Sequence, residues 1–269
     1  MNHKTPDKIL LFFAHPDDET SSCGGLISKY SQLGTNITVC TATNGNKGDL
    51  GTGDLVLKRE ELGDFREKEE LEVLNFLGTS DVIQLGYDDQ GLELLDNNVL
   101  EEQFLDILKR VKPNIVITFG ERGFSGHTDH IQVHLNARKA FNKYLDFSSD
   151  NNIKLYYTAM PKFIAEIRDM DLSEDEKLPT VGIKISDIWT NKVSALRLYK
   201  SQQDAQDVAN MFESMYVGNN FNFGDSKANF SSLFDSFKKF NYSNEPTEYF
   251  HQAYPKLKNY KNIKLLNNF

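Results

Sequence analysis

Apolar residues along this chain fall into short unbroken runs, separated by longer stretches in which they recur every third or fourth position. The run over residues 9–14 predicts a first strand, and the stretch over 22–32, closed by Gly34, predicts a helix. Residues 36–41 predict a second strand, and 59–77, stopping at Gly78, a second helix. The third strand is expected over 82–85, followed by a helix over 100–111 that Pro113 terminates. A fourth strand is expected over 115–119 and a helix over 130–145. Further strands at 154–159 and 181–185, with a helix over 188–200, complete the readable pattern. Strands alternating with helices in this way indicate an α/β domain: a Rossmann-like, doubly wound, mostly parallel sheet with helices on both faces.

Beyond Gln203 the pattern gives way to Asn- and Phe-rich sequence with one helical stretch over 230–240. The acidic stretch 168–177 reads as a solvated loop, and no internal repeat is visible. The chain of 269 residues is therefore expected to form one domain, with a core over 1–203 and an extension over 204–269 packed on it.

Composition narrows the function classes. Acidic residues outnumber basic ones, 39 to 30, for a net charge of −9, which argues against a protein that wraps nucleic acid by neutralising phosphates. Two cysteines, Cys23 and Cys40, are too few for a disulfide framework or a four-cysteine zinc site. No apolar run approaches the length of a membrane span. The polar start leads directly into the first strand, which leaves no room for a signal peptide, so the cytoplasm is the expected location.

Two clusters carry the candidate chemistry. His15-Pro16-Asp17-Asp18-Glu19 follows directly on the first strand, at the sheet edge where α/β proteins bind ligands. His127-Thr128-Asp129-His130 follows the fourth strand and a turn containing Gly120, Gly123 and Gly126. In the common doubly wound order the first and fourth strands are neighbours, so both loops open into one crevice. Histidine nitrogens and a carboxylate from separate loops can then meet around one ion and leave a position open for water, the composition of a catalytic zinc site.

These motifs resemble the LmbE-like (PIG-L) deacetylase family. The resemblance rests on residues 14–19 with Cys23-Gly24-Gly25, on Gly126 through His130, and on Thr43-Asn44-Gly45. It continues in Arg66 through Glu69 with Leu77-Gly78 and in Lys192 through Ser201-Gln202, so it covers about residues 8–203. It implies one zinc ion per chain bound by His15, Asp18 and His130, with iron or cobalt suiting the same ligands nearly as well. It also implies Asp17 as general base, His127 facing the developing oxyanion and Arg66 reaching substrate. Asp129 would hold the His127 imidazole in the right tautomer. The implied reaction is removal of the N-acetyl group from an N-acetylglucosaminyl-type small molecule, a metal-activated water attacking the amide carbonyl. A homo-oligomer remains compatible with this reading. Two positions depart from the family pattern: Thr128 stands where many relatives have proline, and Tyr199 where histidine is frequent.

Rival readings are a zinc amidase for a larger conjugate and a non-catalytic nucleotide-binding or regulatory module. No Gly-x-Gly-x-x-Gly follows the first strand, which weighs against the latter. Among the remaining residues, Cys23 is expected to pack a helix against the sheet, and His134 to be a polar helix position rather than a ligand. Asp88-Asp89 with Gly91 suits a pocket wall and a plain turn equally. Phe221, Phe223 and Phe230 read as packing residues before they read as a sugar platform. Lys256, Lys258, Lys261 and Lys264 read as solvated surface, and His3 and His251 carry no local signal.

Overall fold

The sheet is built outward from β1 (Lys8–Phe13), in which every side chain from Ile9 to Phe13 is sealed from solvent. Such a strand needs cover on both faces, and a parallel sheet with helices above and below supplies it. The computed structural model describes residues 6–148, 152–216, 245–257 and 263–266. The expected helix over 230–240, and with it Phe221, Phe223, Phe230, His3, Lys258 and Lys261, lies outside the described residues.

Each strand of the first half is followed by a crossover helix. β1 leads into α1 (Asp18–Gln32), β2 (Asn36–Thr43) into α2 (Arg59–Leu77), and β3 (Asp81–Tyr87) into α3 (Val99–Val111). β4 (Ile115–Thr118) leads into α4 (Thr128–Leu145), and β5 (Lys154–Thr158) follows. Two short helices, α5 (Lys162–Ile167) and α6 (Glu174–Lys177), precede β6 (Val181–Lys184). The chain continues through α7 (Trp189–Leu198), α8 (Gln203–Tyr216), β7 (Thr247–Tyr254) and β8 (Lys264–Leu266). The sheet order is β3-β2-β1-β4-β5-β7-β6-β8. Pairs from β3 through β5, and β6 with β8, are parallel; β7 runs antiparallel to both β5 and β6. Helices α1, α2, α7 and α8 pack together as one layer, and α3 packs with α4 as another. The fold is thus α/β with a mostly parallel sheet, as expected, and β1 and β4 are neighbours.

Three features differ from the expectation. β7 inserts between β5 and β6 although its sequence, TEYFHQAY, has no continuous apolar run. Its Glu248 accepts the backbone N–H groups of Gly25 (2.9 Å) and Leu26 (2.7 Å) and the Lys192 ammonium (2.7 Å), tying the strand to α1 and α7. α8 begins where the readable pattern stopped, because its buried face is carried by small residues, Ala205 and Ala209. The acidic stretch 168–177 is not wholly solvated: it contains α6, whose Glu176 is fully buried. Gly25 is needed where α1 approaches the end of β6, since a Cβ there would lie 2.6 Å from Ile185 Cδ1. No helix among the described residues is long and apolar enough to cross a membrane.

Candidate metal centre and active site

At the C-terminal end of β1 the chain turns sharply through His15 and Pro16 into α1. Asp17 sits at the helix start with φ 111°, a conformation that a residue with a Cβ adopts only when its surroundings impose it. Several bonds impose it. The Asp17 N–H donates to Glu19 Oε2 (3.1 Å), and Arg66 Nη2 donates to Pro16 O (2.7 Å) and to Asp17 Oδ2 (2.9 Å). Glu19 is held in turn by the hydroxyls of Tyr199 (2.6 Å) and Thr20 (2.5 Å). Tyr199, at the position where the family often has histidine, is therefore a buried donor beneath the Asp17 turn. Burial, reinforced by the charge of Asp204 and opposed by Arg66, pushes the Asp17 carboxyl well above the usual aspartate range.

The second cluster opens the helix after β4. α4 starts at Thr128, with His127 as its N-cap: Nδ1 accepts the Asp129 N–H at 3.2 Å. A neutral His127 therefore carries its single proton on Nε2, 3.7 Å from Asp89 Oδ1. Burial and the neighbouring His15 and His130 hold its pKa below the ordinary histidine value. His130 lies one turn further along, with Nδ1 2.8 Å from the Gly123 carbonyl and 3.1 Å from the Ser125 hydroxyl. Gly123 has φ 64°, and a Cβ on it would lie 2.5 Å from His130 Cβ, so the turn needs glycine there.

His15, Asp18 and His130 converge on one point. His15 Nδ1 lies 3.0 Å from His130 Nε2, and Asp18 Oδ2 lies 3.3 Å and 3.2 Å from those two nitrogens. The far nitrogens are already committed: His15 Nε2 faces Asp89 Oδ1 (3.2 Å) and Asp129 Oδ2 (3.4 Å), and His130 Nδ1 faces a carbonyl. Donating there puts the protons on the outer nitrogens, so two bare imidazole lone pairs and a carboxylate oxygen face one another. Such a triangle repels itself unless a cation sits among its members. Ligands about 2.0–2.1 Å from a tetrahedral ion would stand about 3.3 Å apart, so the spacing fits a metal. Without a metal, a proton on His15 takes the part of that cation. Burial opposes a charge on His15, but its bonds to Asp129, Asp18 and Asp89 outweigh that and raise its pKa well above the usual value. Burial would raise Asp18, but His130 and His15 hold its carboxyl well below the usual range.

A second group of donors lies on the other side of the His15 ring, where one atom each from His15, Asp89, His127 and Asp129 lies within 4.8 Å of the others. It suits a metal less well. Asp129 Oδ2 accepts from Gln90 N (2.6 Å) and Oδ1 from Leu92 N (3.2 Å), so both oxygens are in use. These carboxylates serve to orient the His15 ring from behind.

Of the residues singled out in the sequence, His15, Asp17, Asp18, Arg66, His127 and His130 line one cavity. Two are placed differently from the implied roles. The Asp129 carboxylate bonds His15, not His127, because the ring of His127 is turned to cap α4 and meets the Asp129 backbone instead. Arg66, implied to reach substrate, is 3% exposed, and Nη1 and Nη2 are spent on Gly45 O, Pro16 O and Asp17. Its position on α2, under the turn after β2, makes it a clamp on the Asp17 loop.

The geometry gives definite roles to three residues: Asp89, for which the sequence left pocket wall and plain turn open, Tyr199, noted there only as a departure from the family pattern, and Glu176, given no role there. Asp89 lies between His15 and His127 at the pocket wall. Tyr199 acts through Glu19 on Asp17. Glu176 accepts from the backbones of Arg122 (3.1 Å) and Phe124 (2.8 Å), fixing the turn whose Gly123 carbonyl positions His130. Cys23 is fully buried and its thiol pKa is raised by burial, in keeping with a packing role. His134 is buried with Nδ1 2.9 Å from Phe119 O, a structural bond at the end of β4 rather than a solvated position.

Comparison with known proteins identifies the family. The family model for PIG-L, GlcNAc-PI de-N-acetylase, matches residues 10–141, which contain both clusters. Two similar curated relatives are both 1D-myo-inositol 2-acetamido-2-deoxy-alpha-D-glucopyranoside deacetylases. The one from Salinispora arenicola is 29% identical over 66% of this chain and 65% of its own length. The one from Thermomonospora curvata is 30% identical over 65% of this chain and 67% of its own. Among solved structures, N,N'-diacetylchitobiose deacetylase from Pyrococcus horikoshii superposes with a TM-score of 0.64 at 21% identity, covering 92% of this chain and 84% of that one. The 4-carboxy-2-hydroxymuconate hydratase of Pseudomonas putida also reaches 0.64, at 15% identity, over 96% of this chain and 100% of its own. The fold alone is thus shared with a different chemistry, and the motif-bearing match carries the assignment. On that match, the chain belongs to the LmbE-like (PIG-L) deacetylase family.

Proposed function

We propose that this protein is a metal-dependent N-deacetylase that hydrolyses the acetamide of an N-acetylglucosaminyl-type small molecule, with zinc as the metal and the cytoplasm as its location. The single observation that carries the reading is the triangle of His15 Nδ1, Asp18 Oδ2 and His130 Nε2, with edges of 3.0–3.3 Å, opening into a cavity also lined by Asp17 and His127. A zinc ion held there would polarise the acetyl carbonyl and make water a better nucleophile near neutral pH.

The chain's own groups divide the remaining work. Asp17 Oδ2 is fixed by Arg66, which leaves Oδ1 to accept the proton of the attacking water. His127, kept neutral with its proton on Nε2, offers an N–H donor to the carbonyl oxygen as negative charge builds there. Asp89 and Asp129 fix the His15 ring, and Gly123 fixes that of His130, so the ligand atoms are aimed before substrate arrives. The amine leaves with the proton relayed through Asp17.

The test combines metal analysis with acetate release from N-acetylglucosamine conjugates. Alanine at His15, Asp18 or His130 should sharply reduce bound metal. Asp17→Asn should keep the metal and lose about 10²-fold or more in turnover, the range for a removed general base. Full occupancy in all three ligand variants, or near wild-type turnover in Asp17→Asn, would reject the assignment.

A further inference from the structure

The cavity above the ligand triangle has a volume of about 600 Å³, the size that takes a drug-sized ligand and far more than an acetyl group needs. Its two sides differ in chemistry and in origin. One side holds the metal ligands, Asp17 and His127, all within residues 10–141 that the family model matches. The other side comes from outside that range. Met160, Ile164 and Met170 arrive from the segment around α5, and Val208, Met211 and Phe212 from α8.

That wall is apolar and adaptable. Three of the chain's five methionines lie on it, and unbranched thioethers mould themselves to apolar ligands of varied outline. Of the polar groups at its base, Lys192 and Glu248 are closed on one another, and the Thr158 hydroxyl alone is without a partner among the described residues. Lys192 Nζ donates to Glu248 Oε1 at 2.7 Å and rests 4.6 Å over the Phe212 ring, and both Glu248 oxygens already accept backbone N–H groups of α1. Arg168, at the rim, turns Nη1 toward Met211 Sδ at 3.5 Å. A polyol such as the inositol named in the relatives would leave hydroxyls unpaired against these six side chains, which is unfavourable.

We propose that this wall is a subsite for an apolar aglycone: the substrate is an N-acetylated amino sugar whose other substituent is alkyl or aryl. The proposal rests on the deacetylase reading and goes beyond it by naming the leaving-group side. Burial of the added methylenes drives the preference.

The experiment measures release of the free amino glycoside by the metal-loaded enzyme from methyl, hexyl, phenyl and inositol glycosides of N-acetylglucosamine, which also yield acetate, and from the N-octanoyl analogue of the methyl glycoside, which yields octanoate. The expected result is a kcat/KM about 10-fold or more higher for hexyl and phenyl than for methyl, with the inositol glycoside below both. Met211→Gln should narrow the hexyl-to-methyl ratio. Equal kcat/KM across all glycosides, or a preference for inositol, overturns the subsite and leaves the deacetylase standing. A preference for the N-octanoyl compound puts the apolar group on the acyl side and also overturns it. No acetate from any glycoside, with metal bound, overturns the deacetylase reading instead.

Discussion

Arg66 and Asp17 form an ion pair, Nη2 to Oδ2 at 2.9 Å, between side chains only 4% and 6% exposed. The same guanidinium nitrogen also bonds Pro16 O, so one group holds both the carboxylate and the backbone of the turn that presents it. Loss of Arg66 should therefore act through the base, not through substrate affinity. Arg66→Lys, in which a single ammonium replaces a planar fork, should lower kcat by about 10-fold or more with KM and bound metal little changed. Steady-state kinetics on an N-acetylglucosaminide with metal analysis checks this. A rise in KM alone would show that Arg66 touches substrate instead.

His127 binds the backbone of its own helix through Nδ1, which commits Nε2–H to the cavity. Removing that donor should cost about 10²–10³-fold in kcat, the range for an oxyanion donor. His127→Asn can still cap α4, so it separates the cap from the catalytic N–H. Both His127→Ala and His127→Asn should retain metal while losing turnover. An apo protein from either change would mean that His127, and not His130, is the ligand.

Glu176 reaches the proposed metal centre at two removes. It holds Arg122 N and Phe124 N on either side of Gly123, whose carbonyl takes the His130 Nδ1 proton. Glu176→Gln keeps the volume but can satisfy fewer of the N–H donors around it. Metal affinity should fall by about 10-fold or more, as for other groups that orient a ligand, with kcat at saturating metal largely preserved. Titration with zinc in a competing chelator gives the affinity. Unchanged affinity in a folded variant would confine Glu176 to packing.

How much of this was legible depends on where each residue finds its partners. The unbroken runs over 9–14 and 115–119 announced two buried strands; one histidine cluster followed the first directly, and the other followed the second after a turn with three glycines. The doubly wound order then brought the clusters together. The contacts of Asp89, Tyr199 and Glu176 gave no such signal, because their partners lie 74, 180 and 52 residues away in sequence. The same reason explains β7. Its place is set by register with β5 and β6 and by Glu248 reaching α1, none of which appears in the local spacing of TEYFHQAY. The Asp129 carboxylate was assigned to His127 because the two are adjacent along the chain. The N-cap geometry instead sends that carboxylate to His15, 114 residues away.

Glu70 gives the fold a pH dependence separable from the metal site. It is fully buried on α2, where the Thr41 hydroxyl donates to Oε1 and Gln84 Nε2 donates to Oε2 at 2.8 Å. Burial, together with the nearby Glu19 carboxylate, raises its pKa from 4.5 to about 8, against the pull of Thr41, Gln84 and Arg66. The native state therefore keeps a proton that the unfolded chain gives up between those two values. In that window the unfolded state binds fewer protons, so the stability contributed by this group falls as pH rises. It is fully present below pH 4.5, is lost progressively toward pH 8, and is constant above. The slope from one proton approaches about 1.4 kcal/mol per pH unit at its steepest. Glu70→Gln is neutral at every pH and removes that slope. Urea unfolding of both proteins across pH 5.5 to 8.5 should give a stability difference that shifts steadily in favour of the variant up to about pH 8 and then levels off. Taking the difference cancels the titration of the shared groups that do not interact with Glu70. Parallel stability curves over that range would show that Glu70 is already ionised in the folded protein.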